Sequence, residues 1–114
     1  MENQVRSLEK KIETLKRKLA DLGDMRPGSL SKQYNVCGNP TCRCKDPDNP
    51  KKHGPYYQLS YTHKGRGKSE FVKKENLTEV KMQLKNYRQF KKLTGEWVNL
   101  SLDLAKLRKS AKKD

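Results

Sequence analysis

Four side chains near the middle of the chain have the types and spacing of metal ligands. Three cysteines fall within eight residues and a histidine follows them, giving the set Cys37, Cys42, Cys44 and His53. Three thiolates and one imidazole are a common tetrahedral set for zinc in structural sites. The Gly-Asn-Pro run after the first cysteine suits a tight turn, and the basic residues nearby favour the thiolate form. We therefore predict one structural Zn²⁺ ion as cofactor.

The alternative is that the cysteines pack as small apolar residues beside a surface histidine. Their clustering in a stretch rich in glycine and proline, without an obvious core, favours the metal. The spacing differs from CxxC knuckles and leaves the fourth ligand open, since His63 or Asp46 could replace His53. An open coordination position for catalysis is disfavoured because no second histidine or carboxylate pair lies nearby.

Composition limits the size of the core and the setting of the protein. Only 32% of the 114 residues are apolar, and small chains of this kind often need a metal or a partner to hold them together. Three cysteines exclude a fully paired disulfide framework. The chain starts without an apolar signal segment and contains no run of ~20 apolar residues. We therefore expect a cytoplasmic protein without a membrane partner.

Heptad patterns predict two helices that flank the metal ligands. The first, over residues 1–24, has apolar positions at alternating spacings of three and four, as in a coiled coil. These positions are Val5, Leu8, Ile12, Leu15, Leu19 and Leu22. The second, over residues 76–110, begins with Leu77, Val80, Leu84 and Tyr87 and resumes one residue out of phase with Phe90, Leu93, Trp97, Leu100, Leu104 and Leu107. A basic tail over residues 111–114 follows.

Residues 25–75 hold all five prolines and most of the glycines, which predicts turns and short strands. The alternating stretch Tyr56–Tyr61 can pair with Ser69–Val72 across a turn at residues 64–67. Leu30 and Tyr34 fit either a third strand or one helical turn. The fold class is therefore α+β: two long helices form a coiled-coil hairpin around a small zinc-stabilised β-hairpin head. A parallel homodimer of either seam would bury the same residues.

The net charge of +14 favours a polyanion as partner. Residues 1–24 contribute +1, residues 25–76 contribute +7 and residues 77–114 contribute +6. The candidate nucleic-acid-binding residues are Lys64, Arg66 and Lys68 at the hairpin tip, Arg43, Lys45, Lys51 and Lys52 around the metal ligands, and Lys81, Lys85, Arg88 and Lys92 on the second helix. Tyr56, Tyr57, Tyr61 and His63 either stack on bases or pack inside the head, and packing is favoured for the tyrosines.

The order of several motifs resembles an uncharacterised prokaryotic family, a domain of unknown function. The motifs are Gly28-Ser29-Leu30, Tyr34, Cys37-Gly38-Asn39-Pro40-Thr41-Cys42-Arg43-Cys44, His53-Gly54-Pro55-Tyr56-Tyr57, Asn86-Tyr87-Arg88 and Phe90. The resemblance covers about residues 26–107 and leaves the first helix outside its strongest part. Proteins of this kind are often encoded beside transposases and other mobile-element genes, which implies a role with nucleic acid.

Together these features predict a small zinc-stabilised basic nucleic-acid-binding protein, an accessory or regulatory factor of a mobile element. DNA is favoured over RNA as the ligand. The alternative is an adaptor whose coiled coil docks on a larger recombination or transposition enzyme. An enzyme is not expected, because the chain lacks an acidic cluster for two-metal catalysis, a serine elbow and a phosphate loop.

Overall fold

The computed structural model describes residues 2–36, 38–49 and 51–111. Helix α1 is Glu2–Ala20, strands β1, β2 and β3 are Ser29–Asn35, His53–His63 and Arg66–Val72, and helix α2 is Leu77–Ala111. Short 3-10 turns occupy Arg43–Lys45 and Lys74–Asn76. The predicted α+β class is confirmed. The described residues form two compact units, one of residues 2–25 and 85–111 and the other of Arg26–Leu84.

The three strands form one antiparallel sheet in the order β1-β2-β3. Leu59 in the central strand lies beside Leu30 on one side and Glu70 on the other. The prediction of a third strand is thus confirmed, and the helical alternative for Leu30 and Tyr34 is wrong. The hairpin between β2 and β3 turns through Lys64 and Gly65 alone, with φ of 52° and 77°. Two-residue hairpin loops with positive φ match the strand twist, so the turn is tighter than predicted.

One face of the sheet packs on the first turns of α2. The buried cluster consists of Leu59, Val72, Val80 and Leu84, with Leu30, Tyr57, Tyr61 and Leu77 packed against it. Because side chains alternate along a strand, Tyr57 and Tyr61 face this core and Tyr56 faces away from it. The predicted packing therefore holds for two of the tyrosines, whereas Tyr56 is 43% exposed.

Gly28 explains how the chain enters the sheet. Its φ is +132°, and a Cβ at this position would lie 2.8 Å from the backbone oxygen of Ser60. Only glycine fits such a close approach without strain. Just before it, Arg26 forms an ion pair of 2.9 Å with Glu70 and donates its backbone N–H to the Gln83 oxygen.

In the unit of residues 2–25 and 85–111, both heptad seams supply buried side chains, among them Leu15, Leu93 and Leu104. The apolar seam of α2 is less fully buried than its heptad pattern predicts, because Phe90 is exposed. Glu9 lies 3.8 Å from Arg108, and the Lys16 ammonium lies 5.3 Å from the centre of the Trp97 ring. In the described part of the chain, neither helix combines the length and apolar character needed to cross a membrane.

Candidate functional site

The loop between β1 and β2 is fixed at its base by the sheet and inside by its own polar groups. Asn35 at the end of β1 pairs with His53 at the start of β2. Within the loop, the Asn39 side-chain oxygen accepts hydrogen bonds from the backbone N–H of Thr41 at 3.0 Å and from its hydroxyl at 2.8 Å. The Cys42 N–H donates to the Asn39 backbone oxygen at 3.2 Å. These bonds turn the chain directly before Cys42.

A 3-10 turn, Arg43–Lys45, then presents two cysteines close together. Lys45 N–H donates to the Cys42 oxygen at 3.0 Å, which closes the turn around Cys44. The Arg43 oxygen accepts bonds from the N–H groups of Asp46 and Lys51, at 3.2 and 3.0 Å. The second of these bonds brings the end of the loop back beside the turn, two residues before His53.

Cys42, Cys44 and His53 lie close enough to hold a metal ion. Their ligand atoms all fall within 4.8 Å of one another, and Cys42 Sγ lies 3.2 Å from His53 Nε2. Two ligand atoms on one tetrahedral zinc lie about 3.5–3.8 Å apart, given Zn–S of ~2.3 Å and Zn–N of ~2.0 Å. A small side-chain adjustment therefore suits all three to zinc. The fourth predicted ligand, Cys37, lies outside the described residues.

The position of Cys44 favours a place in the ligand cluster over simple apolar packing. Its side chain is only 1% exposed, yet it is not part of the hydrophobic cluster on the sheet. Both of its neighbours in the turn, Arg43 and Lys45, are exposed. Its sulfur lies within 4.8 Å of the ligand atoms of Cys42 and His53, as expected of a side chain held for coordination.

The other two candidate ligands lie outside this cluster. His63 is the last residue of β2, ten residues after His53, which corresponds to about 33 Å along a strand. Asp46 directs its carboxylate to the loop backbone, where it accepts a bond of 3.0 Å from the Asp48 N–H. His53, the histidine favoured by its position in the sequence, is therefore the one placed with the cysteines.

Gly54 is a further part of the site, although the sequence marked it only as part of a motif. Its φ is +131°, and a Cβ there would lie 2.8 Å from the Gln33 backbone oxygen and 3.2 Å from the Tyr34 ring. A larger residue would push β1 away from β2 directly beside His53. The signal available in the sequence was a glycine between a candidate ligand and a proline.

The basic residues predicted to contact nucleic acid are all exposed. Among the residues that the structure describes, ion pairs join Arg26 to Glu70 and Glu9 to Arg108, so no carboxylate neutralises any of the predicted set. At the hairpin tip, Lys64 occupies the turn, and Arg66 and Lys68 share one face of β3. Lys81, Lys85, Arg88 and Lys92 are exposed along α2.

One further cation lies on β1. Lys32 forms a hydrogen bond with the Tyr34 hydroxyl that raises the pKa of its ammonium above the ordinary value of 10.5. The Lys32 ammonium also lies 5.7 Å from the centre of the Tyr34 ring. Lys32 adds to the positive charge of the sheet.

A family model described as Domain of unknown function (DUF6788) matches residues 5–82. The chain belongs to this family. The DUF6788 match includes α1, which the sequence resemblance left outside its strongest part, and it ends at Met82 instead of near residue 107. It thus spans the whole sheet, the three clustered ligands and the first turns of α2. Comparison with curated proteins gave no match, and neither did comparison with solved structures.

Proposed function

We propose that this DUF6788 protein is a small zinc-stabilised protein that binds nucleic acid. Cys37, Cys42, Cys44 and His53 are the proposed ligands of one zinc ion. The observation that supports the metal is the cluster of Cys42, Cys44 and His53 around a buried thiol. When bound, zinc supplies a crosslink between the loop and the start of β2.

The ligands come from segments that the crosslink would tie together. Cys42 directly precedes the 3-10 turn, Cys44 lies within it, and His53 opens β2. Cys37 is two residues along the chain from Asn35, whose backbone pairs with His53. Four protein ligands leave no open position, so the proposed role of the metal is structural. Loop cations such as Arg43 and Lys45 offset the negative charge that three thiolates bring.

The proposed contact with nucleic acid rests on the hairpin tip. Lys64, Arg66 and Lys68 are exposed, and no ion pair with a described carboxylate neutralises them. A two-stranded ribbon with basic side chains is one of the shapes that proteins insert into a nucleic-acid groove. DNA is the favoured ligand and RNA the alternative. A role as accessory factor of a mobile element belongs to the same proposal.

A gel-shift titration tests this function with two variants of equal charge. The first variant replaces Lys64, Arg66 and Lys68 with alanine. The matched control replaces Lys10, Arg17 and Lys18 with alanine, which are exposed residues of α1 in the nearly neutral segment of residues 1–24. We expect the first variant to bind duplex DNA at least about tenfold more weakly at ~50 mM salt, while the control binds nearly as well as the native chain.

Salt dependence gives a second measure of the same contacts. Each phosphate contact contributes about −0.9 to the slope of log affinity against log salt concentration. Loss of three contacts should therefore reduce the slope by up to about 2.7 units in the hairpin variant alone. If the native chain shifts neither DNA nor RNA at low salt, the proposed function is wrong.

A second candidate function is that of a protein-binding adaptor. Val98 and Leu102, one helical turn apart on α2, are 57% and 58% exposed and offer a small apolar strip. The contacts of Glu9 with Arg108 and of Lys16 with Trp97 also support the proposed antiparallel coiled-coil hairpin. Recovery of a protein partner after nuclease treatment would favour this candidate over direct binding to nucleic acid.

A further inference from the structure

The sheet has one face without a single charged side chain. This open face is the side turned away from the buried cluster. Strand alternation and register assign to it Ser29, Ser31, Gln33, Tyr56, Gln58, Ser60, Thr62, Gly67, Ser69 and Phe71. Charged residues make up 35% of the chain, and those within the three strands all lie on the opposite face: Lys32, Arg66, Lys68 and Glu70. In a chain this rich in charge, an ordinary solvent-exposed surface would carry charged side chains. Their absence from the open face suits it to contact with a ligand.

The open face is instead covered with hydroxyl and amide groups. Ser60 lies between Ser29 and Ser69 in one row across the sheet. In the next row on this face, Gln58 lies between Ser31 and Phe71, and its side-chain oxygen accepts a hydrogen bond of 2.8 Å from the amide of its diagonal neighbour Gln33. Hydroxyls and amides both donate and accept hydrogen bonds, as do the edges of unpaired bases.

Two aromatic rings stand on the open face. Phe71 is 73% exposed and Tyr56 is 43% exposed. Gln58 pairs with Phe71 across β2 and β3, so Tyr56 is a diagonal neighbour of Phe71, a relation that places residues about 7–8 Å apart. Aromatic side chains on a sheet surface are the usual platform on which proteins stack unpaired bases.

We propose that the open face binds single-stranded nucleic acid, with Tyr56 and Phe71 each stacking on a base. The inference rests on the proposed function and narrows its ligand to unpaired bases on a phosphate backbone. The surrounding charge suits this ligand, because residues 25–76 carry +7 and the open face has no carboxylate to repel phosphates. Arg66 and Lys68 lie on the opposite face of the edge strand β3 and add positive charge beside the open face. A protein partner is disfavoured because the face has no aliphatic side chain.

The test measures the affinity of the full chain for fluorescein-labelled twelve-nucleotide oligomers. The probes are single-stranded RNA, single-stranded DNA of the same sequence, and the DNA duplex. One double variant, Tyr56→Leu with Phe71→Leu, keeps apolar surface and removes both rings. The matched variant, Tyr56→Phe with Phe71→Tyr, keeps both rings. Circular dichroism and thermal unfolding establish that each variant is folded, and light scattering reports its oligomeric state.

We expect the leucine variant to bind single-stranded probes at least about tenfold more weakly, whereas the ring-keeping variant binds as the native chain does. The ratio of the affinities for the single-stranded RNA and DNA probes shows which of the two is the preferred ligand. If the native chain prefers duplex, or if the leucine variant binds single strands unchanged, this inference is wrong while the proposed function stands. A leucine variant whose only change is its oligomeric state would also overturn it and identify the face as an interface between copies. Failure to bind any probe would overturn both proposals.

Discussion

The two ends of β2 each carry a histidine, and their surroundings differ in almost every respect. His53 is half-buried, its Nε2 lies 3.2 Å from Cys42 Sγ, and the buried thiol of Cys44 is close by. His63 is exposed and pairs across the hairpin with Arg66, next to the turn at Lys64. One end of the strand thus gathers groups that attract a cation, and the other gathers cations.

This contrast shows that residue type alone does not decide what a histidine does. The cysteine sulfurs beside His53 are placed where a divalent cation could bind, whereas the positive charges of Lys64 and Arg66 beside His63 repel such a cation. Both side chains are held by the same strand, so the strand positions two opposite kinds of surface about 33 Å apart. The two ends should therefore respond independently to mutation.

Removal of the metal should have the largest effect and should act at the His53 end alone. We expect Cys44→Ser to abolish zinc binding and to lower the free energy of unfolding by more than about 3 kcal/mol, because zinc binding in small domains is worth roughly 10 kcal/mol. Native mass spectrometry measures the stoichiometry and urea denaturation the stability. A chelator should reproduce the loss in the native chain.

The control for this experiment is His63→Ala at the opposite end of the strand. It should keep one zinc ion per chain and change stability by no more than about 0.5 kcal/mol, as surface substitutions usually do. Loss of zinc in the His63→Ala variant would contradict the independence of the two ends of β2. A native chain that folds identically in chelator would contradict the structural role of zinc.

A glycine at each end gives a smaller and purely steric comparison. Gly54→Ala forces a Cβ to within 2.8 Å of the Gln33 oxygen at a φ of +131°, and we expect a loss of about 1–3 kcal/mol. Gly67→Ala meets nothing within 4 Å and should cost less than about 0.5 kcal/mol. Urea denaturation of both variants measures the difference. Equal losses would show that the His53 end is no more constrained than the tip.

Apart from the control variants, the smallest effect is expected midway between the ends, at the ion pair of Arg26 with Glu70. Both side chains are partly exposed, at 39% and 48%, so solvent screens their attraction. Glu70→Gln should lower the free energy of unfolding by about 0.2–1 kcal/mol and leave the zinc content unchanged. Thermal unfolding of the native chain and the variant at low and high salt is the measurement, and a difference between them that does not shrink at high salt would assign the ion pair no role.

Local patterns in the sequence account for most of the secondary structure. The alternation of Tyr56–Tyr61 and of Ser69–Val72 predicted the two strands of the hairpin, since a half-buried strand must alternate. The heptad positions of α1 predicted a helix with one buried side, and Ile12 and Leu15 are its buried residues. For Leu30 and Tyr34 the pattern was ambiguous, because a spacing of four residues fits both the helical period of about 3.6 and the strand period of two. Pairing with β2 decided in favour of the strand.

The candidate site was predictable to a similar degree. Three cysteines in a short Gly- and Pro-rich stretch indicated a metal by their clustering alone, because such a segment has no core in which thiols could pack. The spacing favoured His53 but did not exclude His63 or Asp46, since distance along the chain does not fix distance in space. Gly54 and Asn39 gave only a weak signal, as their roles depend on close approach to Gln33 and on a turn before Cys42.

The sequence by itself determined the ligand types, the positive charge and the periods of the helices and strands, because these depend on residue identity and on neighbours along the chain. Only the tertiary structure decided that His53 joins the cysteines and His63 joins the cations. It also decided that Tyr57 and Tyr61 pack inside while Tyr56 and Phe71 stand on an uncharged face. These outcomes depend on strand register, and a shift of one residue would exchange the two faces of the sheet.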